Sequence, residues 1–274
     1  MRKKPLKTSA SPSSLEERSQ DGHDRDFVAS LHKGLEVLCA FNRQHTRMTV
    51  SEMAQRTGAS PASARRSLLT LQSLGFLEGD GKHFWMAPKS LLVAQAFLSS
   101  RPMPALAQPL LDGLSERSRQ SSSIAQLLDT DAIIVARSTA RRSLSTGLGI
   151  GSRLPGYCSA VGRVLLGSLS DRALRSVLQS SRIEKLTAHT VVEPSQVLMR
   201  IDAARQCGFA TCDEELEIGV RSMAVPVFSH DGTTVAALSI SVRAERLSMG
   251  ELRDEMLPLL LRAQQQLAHR LFLT

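Results

Sequence analysis

The side chains best suited to chemistry in this sequence stand on one short stretch. From Ser60 to Gly75 it reads SPASARRSLLTLQSLG, with Ser60, Ser63, Arg65, Arg66 and Thr70 set among Ala64, Leu68, Leu71 and Leu74. Apolar residues at three- and four-residue spacing are the inward stripe of a helix, which leaves the two guanidiniums and the hydroxyls on other faces. Arginine can donate two parallel hydrogen bonds to guanine O6 and N7, and Ser and Thr can serve bases or phosphates. The same side chains on a merely solvated helix would do nothing, so the neighbouring elements decide.

Those neighbours form a DNA-binding frame. FVASLHKGLEVLCAF (27–41) places Leu31, Leu35, Leu38 and Phe41 on one face and predicts a first helix. TVSEMAQRTG follows, with Thr49 as N-cap, Glu52 as its capping-box partner, Met53 and Ala54 inward and Gly58 as the stop. Ser60 caps the next helix, with Pro61 at its first position. Two short helices split by a Gly-containing turn are a helix-turn-helix. FLEGDGKHFWMAP then reads as a hairpin around Gly79-Asp80-Gly81-Lys82, the wing of a winged helix-turn-helix. Thr49, Ser60, Ser63, Arg65, Arg66, Thr70 and Lys82 are the DNA-contact candidates. Lys82 and His83 are placed to touch backbone phosphate or to reach a minor groove, and Trp85 is assigned to packing of the hairpin.

The charge agrees with this frame. The chain has 274 residues and a formal net charge of +8; residues 1–90 carry 14 Lys and Arg against 9 Asp and Glu, the remainder 20 against 17. A basic excess near the N-terminus favours a polyanionic partner. Residues 1–26 have the composition of a disordered tail, 27–88 form the winged helix, 89–104 a linker helix ended by the Pro-rich RPMPALAQP, and 105–274 a second domain. In that domain SSSIAQLL, AIIVARS, RSLSTGL, RSMAVPVF and TVAALSISV read as strands. SAVGRVLLGSLSDRALRSVL, EPSQVLMRIDAARQCG and SMGELRDEMLPLLLRAQQQLAHRL read as helices. The fold class is α+β, with a largely antiparallel sheet.

Other chemistries find little support. GLGIGS (147–152) lacks the Lys-Ser/Thr of a phosphate-binding loop and reads as a strand-ending turn. Asp213, Glu214, Glu215 and Glu217 have no His among them and read as a solvated loop with one pocket residue, rather than a metal site or an acid-base pair. No GxSxG elbow is present and His189 has no evident nucleophile partner. Neither catalysis, nor a metal, nor a cofactor is expected. The four cysteines form no CxxC pair and read as reduced thiols in a cytoplasm, and no apolar run approaches a membrane span.

The winged helix, the linker and the stretches LPGYCSAVGRVLLGSL, GFATCDEELEIGVRSMAVPVFSHDG and VAALSISV together resemble the IclR family of bacterial transcriptional regulators from Phe27 onward. LPGYCSAVGRVLL is further similar to the subgroup controlling aromatic-acid catabolism through the β-ketoadipate pathway, including protocatechuate and 4-hydroxybenzoate regulators. The resemblance implies a GAF-like effector domain, homodimers or dimers of dimers, a pseudo-palindromic double-stranded operator, a small organic or aromatic acid as effector, and RNA polymerase as partner if the protein activates. It also implies an effector pocket at Ala160, Val161, Asp213, Ser222, Ser239 and Ser241. Ser239 and Ser241 are two apart and share one strand face. An anionic ligand needs donors, either near Ser159 at the helix start or an arginine such as Arg137 or Arg153. Tyr157 either packs on an aromatic ring or is a core tyrosine. The alternatives are a ligand sensor acting through protein contacts and, more remotely, an enzyme acting on an organic acid.

Overall fold

The computed structural model describes residues 26–140 and 147–272. The tail expected over 1–26 lies outside them but for Asp26, as does most of the strand expected over 142–148. The chain divides into two compact units after Ala96.

The N-terminal unit runs α1 (Ala29–Ala40), β1 (Met48–Thr49), α2 (Val50–Thr57), α3 (Pro61–Ser73), β2 (Leu77–Gly79), β3 (His83–Met86) and α4 (Leu91–Ser100), whose last turn passes the division. Its three strands are ordered β1-β3-β2 and pair antiparallel. The caps form as the residue types dictate. Thr49 accepts from the Glu52 N–H while the Glu52 carboxylate accepts from Thr49 N–H at 2.7 Å, and Ser60 Oγ accepts from Ser63 N–H at 3.3 Å. Gly58 takes φ of 68°, the left-handed conformation that lets α2 stop and α3 start within three residues. The core is Val37, Ala40, Met53, Ala64, Leu68 and Leu71 with Leu77 and Phe84 of the wing.

Two inward assignments are corrected here. Leu31 and Leu35 are 61% and 52% exposed, and α1 instead buries Val37 and Ala40. Leu74 is 52% exposed because α3 has ended at Ser73 and the chain turns into the wing.

The C-terminal unit begins with α5 (Pro102–Ser118). The linker helix α4 does end at Ser100, where RPMPALAQP begins, and Arg101 is extended; the rest of that stretch is itself helical, with Pro102 in the first turn of α5, where a missing N–H costs nothing. The order continues β4 (Ser121–Leu128), β5 (Asp131–Ser138), β6 (Arg153–Pro155), α6 (Ala160–Gly167), α7 (Asp171–Ser180), α8 (Pro194–Cys207), β7 (Ala210–Asp213), β8 (Val220–Phe228) and β9 (Thr234–Arg243). It closes with α9 (Met249–Glu251), a π-turn at Leu252–Met256 and α10 (Leu257–Phe272). GLGIGS is a turn leading into β6, with Gly151 N–H donating to Ile134 O at 2.8 Å.

The six strands are ordered β6-β5-β4-β9-β8-β7, every neighbouring pair antiparallel. One face, with Ile124, Val135, Val225, Leu238 and Ile240, packs against α5 and α10. The other face carries Ala125, Ile134, Cys212, Ala224 and Ala237 and packs under α6. Alternation along each strand separates the two layers. The single helix expected over 159–178 is two, since Ser170 caps a new start at Asp171.

Candidate nucleic-acid interface and effector cavity

The outward face of α3 carries Ala62, Arg65, Arg66, Leu69, Thr70 and Ser73, all exposed. Neither Arg65 nor Arg66 makes an ion pair or a side-chain hydrogen bond with another described residue, and α3 holds no acidic residue. Leu69, 42% exposed, escapes the sequence reading because it adjoins the buried Leu68; at this position an apolar side chain can meet a thymine methyl. Ser63 is a correction: it is only 8% exposed, on the flank turned toward α1, so it is not offered to a base edge. Ser60 is exposed at the N-cap of α3, while the hydroxyl of Thr49 is committed to Glu52 Oε2 at 2.8 Å.

In the wing, Lys82 is exposed at the hairpin tip. Asp80 shapes that tip by accepting from the N–H groups of His83 (2.7 Å) and Lys82 (3.0 Å), which holds its carboxyl down at about 2. Trp85 lies under the Arg47 guanidinium, 4.0 Å from the ring centroid, and donates to Glu78 Oε2 at 2.8 Å. Its ring braces the hairpin.

In the C-terminal unit a small cavity lies between the sheet and the start of α6, with about 30 Å³ open to the centre of a water-sized sphere. Strand register explains its floor. Ser241 stands opposite Ser222 on β8, Ser239 opposite Ser123 on β4, and Ser123 opposite Arg137 on β5. Ser123 Oγ and Ser239 Oγ lie 3.0 Å apart. Ser159, Ala160 and Val161 line the helix side, and Ile134, Leu148, Leu154, Leu216 and Val220 supply apolar walls. Ser159 Oγ donates to Pro155 O at 2.7 Å and accepts from Gly162 N–H at 3.1 Å, fixing the helix start. Gly162 is required there, because a Cβ would collide with the backbone of Gly156.

Six of the expected effector residues therefore line one cavity: Ser159, Ala160, Val161, Ser222, Ser239 and Ser241. Two do not. Asp213 follows the cavity-lining Cys212 on β7 and so takes the opposite face, where it accepts from Arg221 Nε at 2.6 Å. Tyr157 is buried beneath α7 and α8; its hydroxyl donates to Glu184 O at 2.6 Å and accepts Glu184 N–H at 3.0 Å, and burial pushes its pKa up to about 12. It is a core tyrosine. Of the two candidate arginines, Arg137 lines the cavity, whereas Arg153 is on the exterior and paired with Asp131 at 3.0 Å. Sequence reasoning missed Ser123, whose only signal is its place in the serine run that opens β4, and it took Asp213 rather than Glu217 as the pocket residue of the acidic loop.

The acidic loop is also corrected in part. Glu215 is buried, and its carboxylate takes Arg163 Nη1 at 2.7 Å and Nη2 at 2.6 Å. Arg163, 1% exposed, donates further to Tyr157 O and Thr211 O, so four of its five N–H groups are engaged. Cys158 and Cys212 lie close by, and burial raises both thiols, Cys158 to about 12. Among the described residues, no group of three His, Cys, Asp or Glu side chains is placed to hold a metal ion, and no helix is long and apolar enough to cross a membrane.

Comparison with known proteins decides the lineage. Residues 30–81 match the IclR helix-turn-helix domain, and residues 95–269 match the C-terminal domain of the bacterial transcriptional regulator IclR. The chain belongs to the IclR family. Among its IclR relatives, the Pca regulon regulatory protein of Pseudomonas putida is 38% identical over 250 residues, 91% of this chain and 86% of that protein. The p-hydroxybenzoate hydroxylase transcriptional activator of Acinetobacter baylyi is 34% identical over 247 residues, 88% of this chain and 91% of that one. Among solved structures, the PobR inducer-binding domain from Acinetobacter, a double mutant in complex with 3-hydroxybenzoic acid, is 31% identical with a TM-score of 0.57, covering 60% of this chain and 97% of that chain. The N-terminal unit is thus an IclR DNA-binding domain and the C-terminal unit an IclR effector domain.

Proposed function

We propose that this IclR-family regulator controls genes of aromatic-acid catabolism in the cytoplasm, with a small aromatic acid as its effector. The carrying observation is the cavity, which joins a row of serine hydroxyls and one arginine to apolar walls. Relatives that govern the Pca regulon and p-hydroxybenzoate hydroxylase support the same reading. Arg65, Arg66 and Thr70 read base edges and Ser60 and Lys82 hold phosphates, while Thr49, committed to Glu52, fixes the start of α2.

The working species is a homodimer or a dimer of dimers on a pseudo-palindromic operator. Leu31 and Leu35 on α1, and Leu91, Leu92 and Val93 on α4, are apolar and more than half exposed within one chain, which fits burial against a second copy. The effector changes regulation only through preference for one arrangement of that assembly, since equal affinity for two arrangements shifts nothing. Where the regulator activates, RNA polymerase is the further partner.

The test is anisotropy of labelled DNA from upstream of the protein's own gene, titrated with protein at fixed salt and with protocatechuate, 4-hydroxybenzoate or β-ketoadipate. A specific complex altered by one of these acids is expected. Binding indifferent to all three would remove the aromatic-acid assignment, and binding that is independent of salt would remove the operator, because phosphate neutralisation must release counterions.

A further inference from the structure

Resting on the reading of α3 as the helix that enters the major groove, we propose that Leu69 is a specificity-determining residue. It reads the 5-methyl group of a thymine set one or two base pairs from a guanine held by Arg65 or Arg66. Residues follow one another around a helix by about 100°, so Ala64, Leu68 and Leu71 share the buried side and Leu69 falls on the outward side between Arg65 and Arg66. It is 42% exposed there. Single exposed leucines are ordinary on a protein surface, but this one is flanked by two guanidiniums on a helix that holds no acidic residue, a face whose charge suits DNA.

Two further observations narrow what covers it. The exposed Leu31, Leu35 and Leu74 line a groove between α1 and α3 together with Arg66 and Thr70, and Leu69 stands outside that groove. A second copy of the chain seated there leaves Leu69 open. Next along the outward face, Ser73 spends its hydroxyl on Thr70 O at 2.9 Å, so Leu69 adjoins no free serine donor on that side. Thymine alone presents a methyl group in the major groove, beside the donors and acceptors that every base pair shows. Leucine pressed on any other base edge would strip water from a polar group and return no hydrogen bond. The spacing follows from helix geometry. Leu69 is three residues past Arg66 and four past Arg65, about 4.5 to 6 Å along the axis, against about 3.4 Å per base step. With an arginine on guanine O6 and N7, Leu69 meets the next base pair or the one after it.

The experiment is anisotropy of the full-length protein on DNA from upstream of its own gene, prepared once with thymidine and once with deoxyuridine at every T. The exchange removes each 5-methyl group and leaves base pairing and phosphates in place. At fixed salt, wild type is expected to bind the uracil fragment at least about fourfold more weakly, the worth of one buried methyl. Leu69→Ala, an exposed change to a better helix former, should weaken the thymine fragment and cut the thymine-to-uracil ratio by about that factor. Leu69→Met keeps an apolar side chain and should retain the ratio, and Arg66→Ala should weaken both fragments alike. Within the footprint, single thymine-to-uracil replacements should trace the loss to a thymine one or two pairs from a guanine. Equal affinity of wild type for the two fragments, or an unchanged ratio in Leu69→Ala, overturns the thymine contact and leaves α3 in the groove. Absence of a specific complex on either fragment overturns both.

Discussion

Removing Arg163 tests the account of the effector unit most severely. Its guanidinium makes two hydrogen bonds to Glu215 and two to backbone carbonyls, with almost no solvent contact. Arg163→Met keeps the apolar stem but leaves the Glu215 carboxylate buried beside only the Val191 N–H at 3.3 Å. Breaking a buried pair from one side costs about 3–5 kcal/mol, a factor of about 10² to 10⁴ in the folding equilibrium. With a urea slope of about 2 kcal/mol/M, the midpoint should fall by about 2 M. Far-UV circular dichroism follows the transition, and the emission of Trp85, the one tryptophan, follows the N-terminal unit as an internal reference. Arg163→Met with Glu215→Leu should recover much of the loss, since apolar replacement of both partners is often neutral. A single-variant cost below about 1 kcal/mol, or a double variant equal to the sum of the singles, would refute the reasoning.

Arg66→Ala should weaken operator binding by about 1–3 kcal/mol if the contact is to a base, read by anisotropy at fixed salt; an unchanged isotherm removes Arg66 from the interface. A thiol reagent at pH 8 should titrate the exposed Cys39 and Cys207 rapidly and reach Cys158 and Cys212 only in denaturant; four fast thiols would contradict the buried pair. Gly162→Ala should cost about 1–3 kcal/mol and weaken effector binding, because the added methyl displaces the start of α6; unchanged stability and affinity would show that α6 is not tightly seated. Asp80, held below its ordinary 3.8 at about 2 by the His83 and Lys82 N–H groups, should support the wing turn above pH 3.8. That support fades as pH falls through 2. A carbon-detected titration of the Asp80 carboxyl near 3.8 would contradict the turn geometry.

Local signals carried the DNA-binding unit. Thr49, Glu52, Gly58, Ser60 and Pro61 act through partners three or four residues away, so caps and turn are legible in sequence, and the periodic Ala64, Leu68 and Leu71 fall inward as spaced. The same periodicity misleads at Leu31 and Leu35, because a period reports an apolar face and not what covers it. In the effector unit, the long strands β4, β5, β8 and β9 are visible as β-rich runs, whereas β1, β6 and β7, of two to four residues, are too short to show a period. The serines of β9 were readable as one face, but their meeting with Ser123 depends on register across 116 residues. Arg163 and Glu215, 52 apart, looked like an ordinary helix residue and a solvated acid. Asp213 and Cys212 differ by a single step on a pleated strand, and nothing local says which of the two turns inward.

Ser122 and Ser123 sit back to back on β4. Ser123 reaches the cavity and Ser239, while Ser122 Oγ donates to Leu111 O at 2.9 Å and meets Ser115 Oγ at 2.8 Å on α5. Neighbours joined by one rigid peptide cannot travel separately. The hydroxyl at the cavity and the hydroxyl against α5 therefore keep a fixed offset, and Gln108 ties β5 to the same helix through Arg137 O. The serine floor of the cavity and the inner flank of α5 are thus held in one frame by two adjacent residues of a single strand.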